Sequence, residues 1–330
     1  MQTVISVDYG GEKGIRTLET VSHLHAFQAC AFNHSATSPK KNIFYILNII
    51  FDTLFIVKNK IFDCTTFFNS NHLFEIRFNT LKSVVDYFIV CEANTTHTGQ
   101  KKKYNFDIKK WSRFKDRIIY IKVNNIKKIK LNQKNKFELI KKQIEHIFFG
   151  IKSAKPNDLI ILSDEDEIPN PSMIRKFNFS QFKFGIFKQN LYYYKLNIQN
   201  FSESKNGWPG SRISLKKNIK SFFDLKILKA QNKFEPFWKF YKEKSIQLIN
   251  NGGWHFTYLY KPKDISNKIK NSGHIEFNKT NFTSIKNIKH RIKNLIDPFD
   301  RPAILKSVKL NNSFPKYILK NKKKLRYWIN

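Results

Sequence analysis

Four apolar residues in a row, Leu159-Ile160-Ile161-Leu162, run straight into Ser163-Asp164-Glu165-Asp166-Glu167. An apolar run this short and unbroken reads as a strand covered on both faces, the kind found in parallel sheets. Ile168-Pro169-Asn170-Pro171 follows, where Asn170 suits a helix N-cap and Pro171 the first helical position. The carboxylates therefore stand between the C-terminal end of a buried strand and the next helix. In open α/β sheets this is where ligands bind.

The rest of the chain agrees with such a sheet. Strand patterns recur at residues 61–68, 84–91 and 117–123, and helical spacing at 72–83 and 136–151. In the second helix Phe137, Ile140, Ile144, Ile147 and Ile151 share a face. Strands alternating with helices predict an α/β fold with a mostly parallel sheet flanked by helices. No internal repeat is visible. The chain of 330 residues, 41% hydrophobic and 15% aromatic, has ample material for a core.

Adjacent acidic side chains repel unless a positive group offsets them. A hard divalent cation with oxygen ligands does so. In an extended segment Asp164 and Asp166 would point to one side, so that one holds a metal and the other a sugar or ribose hydroxyl. A second cluster, Asn250-Asn251-Gly252-Gly253-Trp254-His255, pairs glycines that permit close backbone approach with a possible nitrogen ligand. His274 and Glu276 form a similar couple, and Trp208-Pro209-Gly210 offers a ring for a sugar or for the core. A solvated acidic turn and packed aromatic residues are the plain alternatives.

The formal net charge is +35. A polyanionic partner is one explanation; the Lys-, Asn-, Ile- and Phe-rich texture that AT-rich coding DNA produces is another. Three cysteines, Cys30, Cys64 and Cys91, make no CxxC pair and no disulfide framework.

With these residues in view, the chain resembles glycosyltransferase family 17, the β-1,4-mannosyl-glycoprotein β-1,4-N-acetylglucosaminyltransferase-like group. The segments IFDCTTFFNSNHLFEIRFNTL, VVDYFIVCEANTTHTGQ, AKPNDLIILSDEDEIPNP, NGGWHFTYL, GHIEFN and DPFDRP carry the likeness, in order, from about Lys60 to about Pro302. The resemblance implies a GT-A-like fold and an inverting transfer of N-acetylglucosamine from UDP-N-acetylglucosamine with Mn2+ or Mg2+. It puts Asp164, Asp166 and Glu167 on the acidic motif, Asp166 as metal ligand, and His255 or, in its place, His274 as a further ligand. Asp63 and Glu92, near the ends of early strands, fall where the nucleotide would bind with Asp164. For the general base, Glu276 and Glu203 are the named choices.

Three regions follow: residues 1–58 atypical, 59–305 the transferase domain, and 306–330 a basic tail. Residues 1 to about 40 resemble a peptide translated from a bacterial transfer-RNA gene and are read as a start-site artefact. The stretch 43–57 is shorter than the about 20 apolar residues a spanning helix needs. Expected partners are a nucleotide-sugar donor, a glycan or lipid-linked acceptor and an anionic membrane touched by the tail, with no specific nucleic acid. The expected location is cytoplasmic, or peripheral at the inner face of a bacterial membrane. The other classes compatible with the residues are a basic nucleic-acid-binding protein and a carboxylate-metal phosphoesterase.

Overall fold

Strands covered on both faces must be apolar at consecutive positions, and three strands at the centre of the sheet meet that condition. Alternate residues then serve opposite layers. Phe88, Val90 and Ile161 pack on one side with Leu73, Phe74, Ile76 and Phe78. Phe62, Cys64, Ile89, Cys91, Ile160 and Leu162 pack on the other with Ile144, Ile147, Ile151 and Phe222.

The computed structural model describes residues 3–8, 59–124, 126, 129, 132, 135–202, 207–229 and 245–330. The apolar stretch 43–57, Glu203, Cys30 and nearly all of the atypical segment 1–58 lie outside the described residues. The strands are β1 (Thr3–Asp8), β2 (Ile61–Thr66), β3 (Tyr87–Ala93), β4 (Ile118–Asn124), β5 (Leu159–Ser163), β6 (Glu167–Pro169), β7 (Phe184–Tyr193), β8 (Ile198–Asn200), β9 (Trp208–Leu215), β10 (Ile246–Thr257) and β11 (Leu305–Ser307). The helices are α1 (Asn71–Leu81), α2 (Glu138–Glu145), α3 (Ile147–Gly150), α4 (Pro171–Ile174), α5 (Phe222–Ile227), α6 (Pro262–Lys270), α7 (Thr280–Thr283), α8 (Ile285–Lys293) and α9 (Lys316–Lys320).

All the strands among the described residues join one sheet in the order β1-β4-β3-β2-β5-β9-β7-β10-β6, with β8 joining β7 to β11. The run from β1 to β5 is parallel throughout. Beyond β5 the sheet is mixed: β9 is antiparallel to β5 and β7, while β10 runs parallel to β7. The expected α/β class, with a mostly parallel sheet flanked by helices, is thus the fold the chain adopts.

Local readings held with shifts at their edges. The helix expected over 136–151 is two helices, α2 and α3, broken at His146. The strand expected from Val84 begins at Tyr87, because Val84 and Val85 donate back to Leu81 and finish the turn after α1. The C-terminal segment lies along the domain: Leu196 N donates to Trp328 O at 2.7 Å, and Trp254 Nε1 to Ser313 O at 3.0 Å. Among the described residues no helix is long and apolar enough to cross a membrane.

Candidate active site

The acidic run forms the tight connection between β5 and β6. Glu165 and Asp166 make its turn, and Asn170 Oδ1 accepts from Ser172 N at 3.1 Å to start α4 with Pro171 in its first turn. A cavity of about 480 Å³ opens over this turn. Asp164, Glu165, Asp166, His97, Trp208, Lys226, His255, Lys268, His274 and Arg301 stand on its wall.

β10 brings His255 to the floor. Gly253 has φ 133°, and a Cβ there would lie 2.2 Å from the Ile168 carbonyl oxygen. Only a glycine lets β10 close on β6 this tightly. The register then sets His255 opposite Glu167. The Asn-Asn-Gly-Gly stretch is consequently part of a strand with a register shift, not a turn between elements.

Asp166 is the hub. Its Oδ1 lies 3.4 Å from His255 Nε2, and its Oδ2 accepts from Lys268 Nζ at 2.9 Å. Asp166 is 5% exposed. Burial raises its pKa, but the charges of Lys268 and His255 outweigh that and hold the carboxyl well below the ordinary range. For His255 burial pushes the pKa down, and the Asp166 carboxylate turns the net shift upward. His255 Nδ1 is buried and has no hydrogen-bond partner among the described residues. Asp164 is on the cavity side and pairs with Lys226; its side chain is 43% exposed.

The remaining carboxylates expected at the site are held inside the fold. Glu167 accepts from Asp164 N at 3.2 Å and Trp208 Nε1 at 3.1 Å. Asp63 accepts from Arg77 Nε at 2.7 Å and Nη2 at 2.5 Å, and Arg77 Nη1 also donates to the Glu167 carbonyl at 2.5 Å. Glu92 accepts from Lys102, from Asn105 N and Phe106 N at 2.7 and 3.0 Å, and from Tyr120 OH at 2.7 Å. Asp63, Glu92 and Glu167 are not on the cavity wall, because these donors take their oxygens and turn them inward. Glu276 is behind the wall as well, bound to Lys136 at 2.9 Å and to His274 Nδ1 at 3.2 Å. The structure thus brings Asp164, Asp166 and His255 together at the floor and leaves His274 on the wall with Glu276 rather than with Asp166.

Several wall residues were not singled out in the sequence as site residues, though His97 and Arg301 lie within the quoted segments. Lys268 and Lys226 belong to a crowd of lysines, and their carboxylate partners are 102 and 62 residues away. His97 is tied to Gln143 Oε1 at 3.3 Å, and burial pushes its pKa down to about 4, so its imidazole is neutral at pH 7. Arg301 stands at the far end with Tyr193, Tyr258, Phe277 and Phe299. Asp297 binds it with both oxygens at 3.0 and 2.9 Å. The stacked Phe277–Phe299 pair, centroids 3.9 Å apart, shows why GHIEFN and DPFDRP belong together.

Could these residues hold a divalent cation? Among the described residues no group of three or more His, Cys, Asp and Glu forms a cage. A magnesium-type ion does not need one, since it takes one or two protein ligands and completes its shell with water and phosphate oxygens. Two ligands about 2.1 Å from one ion, near a right angle or somewhat wider, are roughly 3.0–3.4 Å apart. The Asp166–His255 separation of 3.4 Å falls in that range. Lys268 Nζ holds the compensating charge on Asp166.

The family model "Glycosyltransferase family 17" matches residues 52–329. No curated protein matches the chain. Among solved structures, the chain is similar to glucosyl-3-phosphoglycerate synthase of M. tuberculosis, at 10% identity and TM-score 0.30, covering 80% of this chain and 93% of that one. A second structure of the Mycobacterium tuberculosis enzyme, in complex with Mn2+, UDP-glucose and phosphoglyceric acid, matches at 10% identity and TM-score 0.32, covering 79% and 92%.

Proposed function

The chain belongs to glycosyltransferase family 17, and from that premise we propose that it is an inverting, metal-dependent transferase. It moves N-acetylglucosamine from UDP-N-acetylglucosamine to a glycan or lipid-linked saccharide. The observation that carries this reading is the Asp166–His255 pair, set 3.4 Å apart on the floor of a cavity at the C-terminal end of β5.

Asp166 and His255 hold the cation in this reading, with Asp164 beside them. A bound Mn2+ or Mg2+ would neutralise charge gathering on the departing diphosphate. Lys268 and Lys226, which now pair with Asp166 and Asp164, would be placed to face the phosphates. Phe68, His97, Phe137, Ile140 and Gln143 line the end for the nucleoside, mixing apolar surface with a few fixed polar groups. Tyr193, Tyr258, Phe277 and Phe299 line the opposite end, a set of rings against which a saccharide acceptor can pack.

The acceptor oxygen attacks the anomeric carbon while the bond to the diphosphate breaks and its electron pair leaves with UDP. The hydroxyl proton goes to His274, oriented by Glu276, in this reading. Asp63, Glu92 and Glu167 act at a distance, by fixing the strands and the turn that carry Asp166.

Calorimetry tests the assignment. UDP-N-acetylglucosamine should bind with manganese present, bind far more weakly without it, and fail to bind Asp166→Ala. Equal binding by that variant would sink the site.

A further inference from the structure

The acids and bases of this chain are unevenly placed. From Pro302 to Asn330 there are eight Lys or Arg and no Asp or Glu; from Phe277 to Ile296 there are five and again none. The fold brings these two acid-free segments together. They meet in a groove of about 180 Å³ whose wall includes Lys195, Lys289, Lys293, Tyr260, Tyr327 and Trp328. Among the described residues no carboxylate is on that wall.

The groove is both basic and interfacial in character. Lys195 donates to the Tyr327 carbonyl and sits 4.6 Å from the centre of its ring, with Lys261 6.0 Å away. Tyr327 is 50% exposed. Trp328 is stacked on His72 at 4.4 Å, which anchors the segment to α1. On α8, Ile285, Lys289 and Lys293 are spaced by four and share one exposed edge. Ile285 is 43% exposed. Exposed aromatic and aliphatic side chains ringed by lysines are what a bilayer interface accepts, rings at headgroup depth and ammonium groups on the phosphates.

We propose that this corner, built from α8, Lys195, Lys261 and the C-terminal Tyr327-Trp328, docks the protein on an anionic phospholipid surface. The inference goes beyond the transfer reaction and does not depend on it. Its geometric consequence concerns α6, which separates the two places: Pro262 lines the groove and Lys268 the cavity. Docking would hold the cavity within about one helix length, roughly 14 Å, of the contact surface.

The test is flotation of the full chain with vesicles of phosphatidylcholine, alone or mixed with phosphatidylglycerol. The native protein should float with the mixed vesicles and not with the neutral ones. Reversing two charges in Lys289→Glu/Lys293→Glu should weaken that binding at least about tenfold, since one lysine at an anionic surface is worth about fivefold. Lys109→Glu/Lys110→Glu makes the same charge change on the exposed start of the 3-10 helix Ile108–Arg117 between β3 and β4 and should bind nearly as the native chain does. Both variants should melt as the native protein does and still bind UDP-N-acetylglucosamine. An equal loss in the two variants would mean that only total charge matters, and overturns the proposal. Absence of binding to the mixed vesicles overturns it too, as does single-stranded RNA displacing the chain from them through the same two lysines.

Discussion

Carboxylates in and just after β2, β3 and β5 fall into two sets that differ in what holds them. Asp63, Glu92, Glu165 and Glu167 receive arginine, backbone amides, hydroxyls or an indole from rigid elements, and Glu92 takes Lys102 in addition to two amides and a hydroxyl. Asp164 and Asp166 are held by Lys226, Lys268 and His255. A guanidinium fork locked on both oxygens is a fixed part of the core. A lysine is a flexible point charge that a cation or a diphosphate can replace. The first set therefore shapes the floor, and the second is the one to which the proposed function gives the chemistry.

The severest way to break this comparison acts on the inner set. Arg77→Met leaves Asp63 buried at 1% exposure with its charge uncompensated. Removing one partner of a buried pair costs about 3–5 kcal/mol. Urea unfolding should show that loss, and Asp63→Leu added to Arg77→Met should recover most of it. An unchanged midpoint in the single variant would place Asp63 and Arg77 among the exchangeable pairs.

The complementary change acts on the outer set. Asp166→Asn should lower transfer at least about a hundredfold, near 3 kcal/mol of barrier. Its thermal midpoint should fall far less than that of Arg77→Met, because Lys268 can turn toward Glu165, 3.7 Å away. Steady-state assays with manganese, beside melting curves, check both halves. A collapse of the fold in Asp166→Asn would erase the distinction.

How much of this could be read beforehand depends on range along the chain. The β5 run, the Asn170 cap, Pro171 and the need for Gly252-Gly253 are local signals, and each found its place. The inward orientation of Asp63, Glu92 and Glu167 was not legible. An Asp that holds a metal and an Asp that holds an arginine look alike until Arg77 is placed beside one of them. β6 was also missed: Glu167-Ile168-Pro169 is too short to show a period and exists by pairing with β10. The alternation argument for Asp164 and Asp166 assumed an extended segment that the chain does not form there. Both line the cavity, but on a turn instead of an extended strand.

A milder probe sits between the two sets. Glu165 is on the cavity wall, yet Tyr260 OH donates to it at 2.6 Å, Ser70 Oγ at 2.6 Å and Phe68 N at 2.9 Å. It belongs with the fixed set by its partners and with the outer set by its position. Tyr260→Phe should cost about 1.5 kcal/mol of stability, the typical worth of a hydrogen bond to a charged group. KM for the donor should change little. A large rise in KM with stability kept would move Glu165 into the exchangeable set.

The smallest expected effect is at the rim. Slight burial pushes the Glu276 carboxyl up, but the hydrogen bonds from Lys136 and His274 prevail and bring its pKa to about 2, from an ordinary 4.5. A carboxyl depressed by folding adds stability above its unfolded pKa and loses it as pH falls through the folded one. The window therefore runs from pH 4.5 down to about 2. The side chain is 32% exposed, so the contribution stays below about 1 kcal/mol. Asp166, held lower still, remains ionised through most of that window. Melting curves at about pH 5 and about pH 3 should show a slightly shallower decline for Glu276→Gln than for the native chain. Matching declines would mean that the Lys136–Glu276 contact carries no weight. The rim would then owe its shape to the packing of Phe277 on Phe299, and orientation of His274 by Glu276 would lose its support.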